Sequence, residues 1–426
     1  MKADTVFALS SGAPPAALGV IRVSGPAAGD ALAALAGALP APRRASFRRL
    51  RDREGETLDH ALVLWLPGPG TATGEDIAEL HLHGGRAVIA SVERTLDALP
   101  GLRRAQAGEF TRRAFLNGRI DLAEAEGLAD LLTAETELQR RSALAMAGGS
   151  FSRQVAAWRE RLLACSAQVE AVLDFGDEDD VADLPPEFGT AIERLQAEIA
   201  DWLARPRAEL LRDGFRVVIA GPPNAGKSSL FNLLVESEAA ITAPLAGTTR
   251  DVLTRSVAIE GVPFVFADTA GLRDGTGDSI EAIGIERALS AVEDADLVLW
   301  LGPEGQGPAL SWEIESRVDA PDREEKRAPR HRVSSVTGTG MDRLRLDLVE
   351  AARHAMPRPG EAALNARQSD LLGQAAAALH GVTVGRDPLL LAEHLRLARR
   401  AFDALIGHTG TEDMLDALFG RFCIGK

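Results

Sequence analysis

The segment Gly221-Pro222-Pro223-Asn224-Ala225-Gly226-Lys227-Ser228 stands between an apolar run, Val217-Val218-Ile219-Ala220, and the helix-like Ser229-Leu230-Phe231-Asn232-Leu233-Leu234. Strand, glycine-bearing loop and helix start, in that order, are what a triphosphate site requires. The glycines let the backbone curl so that N–H groups face phosphate oxygens, Lys227 adds a cation, and Ser228 offers Mg²⁺ a hydroxyl at a helix N-terminus. The predicted phosphate contacts are Asn224, Ala225, Gly226, Lys227, Ser228 and Ser229. Farther on, Phe264-Val265-Phe266-Ala267 runs into Asp268-Thr269-Ala270-Gly271. There Asp268 is expected to hold Mg²⁺ through water, and the Gly271 N–H to sense the γ-phosphate. Between the two segments, Gly247-Thr248-Thr249-Arg250-Asp251 predicts a switch loop, in which a threonine hydroxyl completes the Mg²⁺ shell only when the γ-phosphate is present.

Base choice falls to Ser316-Arg317-Val318-Asp319. A guanine site usually presents Asn-Lys-x-Asp after a strand, the Asp accepting both guanine N–H groups; here only the Asp remains. Arg317 can lay its aliphatic stem over the base, but Ser316 is not expected to replace the Asn contacts. GTP is therefore expected to be preferred over ATP through Asp319, with weakened affinity. The next loop, Ser334-Ser335-Val336-Thr337-Gly338, resembles the Ser-Ala-x segment that supports the base. Ras-like proteins orient the attacking water with a Gln just after the Asp-x-x-Gly turn. Leu272 stands there, so another group must do that work.

Composition bounds what must position these residues. A chain of 426 residues holds about two to four domains. With 46% hydrophobic residues and no apolar stretch long enough to span a bilayer, it is expected to be soluble and globular, with no membrane partner. Met1-Lys2-Ala3-Asp4-Thr5 lacks an apolar signal core, so a cytoplasmic location is expected. Cys165 and Cys423 are too few for a disulfide framework, which suits a reducing compartment. Net charge is −15, from 47 basic and 62 acidic residues, so any nucleic-acid contact must be local. Arg43, Arg44, Arg48, Arg49, Arg51 and Arg53 form one basic run, and Arg103, Arg104, Arg112, Arg113 and Arg119 follow. A solvated charged face is the default reading of most of them, with RNA contact by some as the alternative.

Periodicity divides the chain into a multidomain α+β protein. Residues 1–118 carry short β-like runs broken by turns such as Pro67-Gly68-Pro69-Gly70, a compact α+β module. Residues 119–211 turn helical: Val155, Trp158, Leu162, Cys165, Val169 and Val172 recur at steps of three and four, as do Ile192, Leu195, Ile199 and Leu203. Residues 212–358 alternate β-runs and helices, the pattern of a Ras-like parallel α/β sheet. Residues 359–426 are helical again, so the nucleotide domain is expected to be inserted into a helical domain.

Motifs outside the nucleotide domain resemble the tRNA modification GTPase family MnmE, also called TrmE, over nearly the whole chain. They are Leu18-Gly19-Val20-Ile21-Arg22-Val23-Ser24-Gly25-Pro26, Thr73-Gly74-Glu75-Asp76 through Glu79 to His83-Gly84-Gly85, Gly108-Glu109-Phe110 to Arg113-Ala114-Phe115-Leu116-Asn117, and the closing Phe422-Cys423-Ile424-Gly425-Lys426. The resemblance implies an N-terminal folate-binding domain that dimerises, and a tetrahydrofolate derivative as one-carbon donor. It also implies a flavoprotein partner, MnmG, and modification at C5 of wobble uridine U34 in tRNA. Folate contacts carry over onto Arg22, Glu79 and Arg119, the last where the family often has lysine, and Ala72 replaces an aromatic residue common before Thr73. Lys426 joins this cofactor-binding set and Cys423 the catalytic one, with Lys227. The family's water-positioning Glu falls on Glu281, and its K⁺ ligand on Asn224. Mg²⁺ falls to Ser228 and Thr249, with Ala243, Leu245 and Thr248 as further metal positions; Ala243 stands where the family usually has Thr.

Alternatives stay open at two places. Cys423 has no evident activating base, which also fits a structural thiol. His81 and His83 share a strand face without a third ligand nearby, so a structural role is favoured over a metal. Two other functions fit parts of the chain: a GTP-switch adaptor of ribosome assembly, and a folate transferase with a vestigial nucleotide domain. The N-terminal and closing motifs disfavour the first, and intact Gly226-Lys227-Ser228, Thr249 and Asp268 disfavour the second.

Overall fold

The computed structural model describes residues 4–175, 184–236, 239–240, 253–268, 291–309, 311–321, 323, 325–383, 385–408, 412–420 and 422–425. It divides into two compact units, Met1–Ala129 with Phe151–Arg159 and Arg399–Lys426, and Asp130–Ser150 with Glu160–Ala398.

Alternating apolar residues build the sheet of the first unit from β1 (Thr5–Leu9), β2 (Leu18–Ser24), β3 (Ser46–Arg51), β4 (Thr57–Leu66), β5 (Ile77–His83) and β6 (Leu102–Arg104), in the order β3-β4-β5-β2-β1-β6. Only β1 and β6 run parallel. One face packs Phe7, Ile21, Leu50, Val63, Leu80 and Leu82 against two helices, α1 (Ala28–Ala36) and α2 (Arg86–Asp97), through Leu32, Leu35, Ile89, Val92 and Leu96. Since strand side chains alternate between faces, the opposite face carries Arg22 directly across from Glu79, and Phe47 across from Leu62.

On that second face, α3 (Glu109–Leu116) sets Phe110 against Val6 and Ala8. Two helices follow in the chain: α4 (Leu122–Thr133), and α5 (Glu137–Ala147), whose start is closed by a capping box between Thr136 and Gln139.

The long α6 (Ser150–Phe175) buries Val155, Trp158, Leu162, Cys165 and Val169, as its sequence period predicts. Next, α7 (Glu187–Leu203) buries Phe188, Ile192, Leu195 and Ile199, and α8 (Ala208–Asp213) leads into the second sheet. That sheet contains β7 (Phe215–Ala220), then α9 (Lys227–Glu236), β8 (Ala239–Ala240), β9 (Leu253–Ile259), β10 (Val262–Asp268), β11 (Leu297–Trp300), β12 (Trp312–Glu315) and β13 (His331–Arg332). Its order is β13-β12-β11-β7-β10-β9-β8. From β7 the chain runs through α9, β8 and β9 to β10 on one side and then crosses to β11 on the other; β10 and β11 pair with β7 in parallel, whereas β9 runs antiparallel to β10 and β8, so the sheet is mixed rather than all parallel. The carboxyl end of β7 is therefore a topological switch point, where open α/β sheets form their ligand crevice.

After α10 (Met341–Ala355) come α11 (Ala366–His380), α12 (Pro388–Ile406) and α13 (Glu412–Phe419). The chain leaves the sheet beside the place it entered: the Ala208 N–H donates to the Leu364 carbonyl at 3.0 Å, and the Ser142 hydroxyl to the Glu361 carbonyl at 2.8 Å. No helix among the described residues is long and apolar enough to cross a membrane.

The closing segment docks within the first unit. Phe422 is buried with Leu122, Leu415 and Phe419, and Ile424 bridges to Ala107. Gly425 has φ +94°, and a Cβ there would collide with the Leu9 carbonyl. Gly425→Ala is expected to destabilise the first unit by about 1–3 kcal/mol. Denaturant unfolding monitored by tryptophan fluorescence measures this, and an unchanged midpoint would contradict the docked tail.

Candidate functional site

The apolar core of β7 ends at Ala220, and the loop begins on Gly221, whose φ of +153° and close approach to Leu301 and Gly302 leave no room for a side chain. Asn224 (φ +62°) and Gly226 (φ +89°) continue the turn in the left-handed region. The chain then enters α9 with Lys227 and Ser228 on its first turn. Lys227 is 7% exposed, and its ammonium donates to the Pro222 carbonyl at 2.8 Å, across the loop. The Ser228 hydroxyl donates to Asp268 Oδ2 at 2.7 Å, and Asp268 is 1% exposed at the carboxyl end of β10. Parallel pairing sets Asp268 beside Ile219, which brings that carboxylate to the phosphate loop. Two hard oxygens thus converge beside a cation and a helix N-terminus. This donor set suits Mg²⁺ and phosphate.

The base side assembles at the end of β12. The Ser316 hydroxyl donates to the Ala225 carbonyl at 2.6 Å. The serine thus ties the phosphate loop to the end of β12. Its single proton is committed there, so it has none to donate to a base. Arg317, at φ +56°, lays its Cγ and Cδ towards Gly226, so its stem covers the loop. Ser334 is fully buried, and its hydroxyl caps the turn by accepting from the Val336 and Thr337 N–H groups. The hydrogen bond from Ser334, joined by the backbone of Asp319, holds the exposed Asp319 carboxyl below its ordinary range.

On the open face of the first sheet, Arg22 donates twice to Glu79 Oε1, at 3.0 and 2.9 Å, while Glu79 Oε2 lies 3.3 Å from His81. Both partners of this ion pair are half-buried, and the Arg22 guanidinium lies 5.9 Å from the centre of the Phe110 ring. The loop at Thr73 to Asp76 closes over the neighbouring end of β2: Ser24 bonds Thr73 and Glu75, and Asn117 donates to the Thr73 carbonyl at 2.7 Å. The exposed Arg119 lies beside Gly74.

Sequence reasoning missed the organiser of this loop. Arg113 is held among Asp4, Glu75 and Glu109, and burial of Glu109 is outweighed by hydrogen bonds from Arg103, Gln106 and Arg113 that keep its carboxyl ionised below the usual range. Arg113 lies inside the Gly108 to Asn117 motif, but nothing in its spacing gives three carboxylate partners from distant segments.

His81 and His83 pair with Glu79 and Asp59 respectively, and no cluster of three or more metal-ligating side chains occurs among the described residues. Cys423 is exposed; Cys165 is buried, which pushes its thiol up. Thr248, Thr249, Ala243, Leu245, Gly271, Leu272, Glu281 and Lys426 lie outside the described residues.

A strand-loop-helix phosphate cradle at the switch point of a mixed, mainly parallel sheet, with Lys227, Ser228 and Asp268 converging, defines a P-loop nucleoside-triphosphate hydrolase. Residues 122–423 match the MnmE helical domain, and residues 5–119 the GTP-binding protein TrmE N-terminus. The tRNA modification GTPase MnmE of Erythrobacter litoralis is 65% identical over 99% of this chain and 100% of its own. The protein of the same name from Novosphingobium aromaticivorans is 63% identical over 99% and 100%. The chain belongs to the MnmE family. Among solved structures, the G domain of the FeoB iron transporter of T. maritima is 25% identical, covering 32% of this chain and 98% of that one, with a TM-score of 0.24.

Lys227→Ala or Ser228→Ala is expected to lower GTP turnover by about a hundredfold or more, because each removes charge stabilisation rather than core packing. Steady-state phosphate release measures it, and turnover near wild type would rule out the site. Ser316→Asn with Arg317→Lys is expected to tighten GTP binding in calorimetry; equal affinity of the unaltered protein for GTP and ATP would contradict the assignment of Asp319. Because the Asp319 carboxyl is held low, it stays charged as pH falls, so the preference for GTP over ATP should stay flat between pH 7 and about pH 5.

Proposed function

We propose that the chain is a K⁺-dependent GTP hydrolase that modifies C5 of wobble uridine U34 in tRNA, with a folate one-carbon donor and the flavoprotein MnmG as partner. The observation that carries this reading is the presence, on one chain, of the converging Lys227, Ser228 and Asp268 and of the half-buried Arg22–Glu79 pair on an open sheet face. The nucleotide domain is 212–358, inserted between helical segments 119–211 and 359–426, and the folate domain is 1–118.

In the nucleotide site, Lys227 exchanges the Pro222 carbonyl for phosphate oxygens, and the loop N–H groups orient the triphosphate. Ser228 and Thr249 would ligate Mg²⁺, with Asp268 holding it through water, and the ion would supply charge that neutralises the phosphates. Asn224, with Ala243, Leu245 and Thr248, would hold K⁺, which would supply positive charge for the developing charge between the β- and γ-phosphates, where an arginine finger otherwise would. Gly271 senses the γ-phosphate through its N–H, and Glu281 positions water in place of the glutamine that Leu272 lacks. Asp319 accepts the guanine N–H groups, and Ser334 keeps that carboxylate aimed.

For the folate, the chemistry of Arg22 and Glu79 fits. A carboxylate pairs with the donor edge of a pterin, while arginines suit the carboxylates of a glutamate tail. The preformed Arg22–Glu79 pair would hold the carboxylate in place for the ring, and the exposed Arg119 would supply a cation for the tail. Lys426 adds a cation, and Cys423 offers an exposed thiol. The protein acts as a homodimer through its N-terminal domain.

If K⁺ replaces an arginine finger and Glu281 positions water, hydrolysis rises with K⁺, falls when Na⁺ replaces it, and slows in Glu281→Ala with little change in GTP affinity. A rate indifferent to K⁺ and Na⁺, or an unimpaired Glu281→Ala, removes this mechanism. The tRNA role is tested separately by the wobble-nucleoside profile of tRNA from cells lacking this chain, where an unchanged U34 overturns it.

A further inference from the structure

Among the arginines of the first unit, two groups differ in the partners they meet. Arg22, Arg103, Arg104, Arg112 and Arg113 each reach at least one carboxylate. Arg43, Arg44, Arg48, Arg49, Arg51 and Arg53 reach none among the described residues. Their guanidinium bonds go to neutral groups: Arg43 to the Pro67 and Gly70 carbonyls, Arg48 to the Phe47 carbonyl, Arg49 to the His60 ring, Arg51 to Gly55 and Arg53 to Ala98. Their acidic neighbours in sequence, Asp52, Glu54 and Glu56, lie at the tip of the hairpin between β3 and β4, away from Arg44, Arg48 and Arg49. In a chain of net charge −15, an unneutralised arginine cluster is a local anion-receptive surface.

The same strand exposes an aromatic ring. Phe47 is 67% exposed, and it stacks on the exposed His60 with ring centres 6.2 Å apart and an interplanar angle of 22°. Register sets Arg49 opposite His60, so Phe47, His60 and Arg49 share the outer face of the sheet, and β3 is its edge strand. Cations that track a backbone, interleaved with exposed rings on a sheet, are the requirement for unpaired nucleotides: phosphates meet guanidinium groups and bases stack on rings.

We infer that the outer face of the β3–β4 edge, through Phe47, His60, Arg44 and Arg49, binds unpaired nucleotides of an RNA loop. The inference rests on the proposed tRNA role and assigns it a surface. Blocking of edge-to-edge pairing by charge also accounts for arginines on an edge strand, but that role calls for no exposed phenylalanine among them. Arg43 is set apart because it pins the Pro67 to Gly70 loop.

The test uses the full chain, fluorescently labelled unmodified tRNA, and an RNA duplex of similar charge, with anisotropy read across a KCl series. The substitution Phe47→Ala is expected to weaken tRNA binding about tenfold and duplex binding little. The combined Arg44→Gln and Arg49→Gln protein should weaken both, with a salt slope shallower by about 0.7 for each phosphate that no longer meets a guanidinium. GTP turnover should be unchanged in both variants, and an unchanged denaturant midpoint by tryptophan fluorescence reports that the first unit folds. Wild-type binding with unchanged affinity in both variants overturns this surface and leaves the tRNA role standing. Loss of self-association in sedimentation with RNA affinity intact assigns the edge to a second copy, and likewise overturns it. A wild-type protein that binds no tRNA under any salt condition sinks the proposed function as well.

Discussion

The nucleotide site depends on one hydrogen bond, from Ser228 to Asp268. It joins the first turn of α9 to the end of β10, so it fixes how far the phosphate loop stands from the neighbouring strand. Everything around it serves that separation. β7 is central, its residues Val217 and Ile219 are fully buried, and β10 and β11 pair with it on either side. Gly221 lets the loop pass close over Leu301, and Ser316 ties the loop's far side to β12. A loop tethered at both sides meets a ligand with its N–H groups already aimed, which lowers the ordering cost of binding.

Much of this was legible in the sequence because it follows from short-range rules. Strand, glycine turn and helix start are contiguous in the chain, and the helical stripe from Val155 to Val169 is a matter of period alone. The Arg22–Glu79 pair was reachable only by resemblance, since the register that sets the two side by side joins residues far apart in the chain. The arrangement around Arg113 was not legible at all. Three carboxylates, from the chain start, from the loop after β4 and from its own helix, meet one guanidinium, and no local spacing encodes such a meeting. The Ser316 tether was hidden for a different reason: substitution of the expected Asn suggested loss, whereas a short hydroxyl suffices when the backbone comes within 2.6 Å.

The two arginine sets of the first unit differ in what their charge does. Arg103 and Arg113 are locked among carboxylates, and their mutual neutralisation fixes the loop that borders the open face of the sheet. Half-buried pairs of this kind lose heavily when one partner is removed, because the other is then left uncompensated. Arg44, Arg48 and Arg49 bring no such liability. Their charge remains available to a ligand because the fold does not consume it.

The described nucleotide site meets its own polar demands without a ligand, and this bears on how it works. A nearly buried ammonium left without an acceptor is costly, and Lys227 is spared that cost by the Pro222 carbonyl. Likewise Asp268, at 1% exposure, has the Ser228 hydroxyl. Triphosphate binding therefore exchanges internal partners for external ones, rather than filling a void. For Lys227 the gain is the difference between a neutral carbonyl and a charged phosphate, and it grows with ligand charge. A site built this way favours the most highly charged nucleotide over its hydrolysed product, which is the discrimination a hydrolase that cycles between triphosphate and diphosphate states requires.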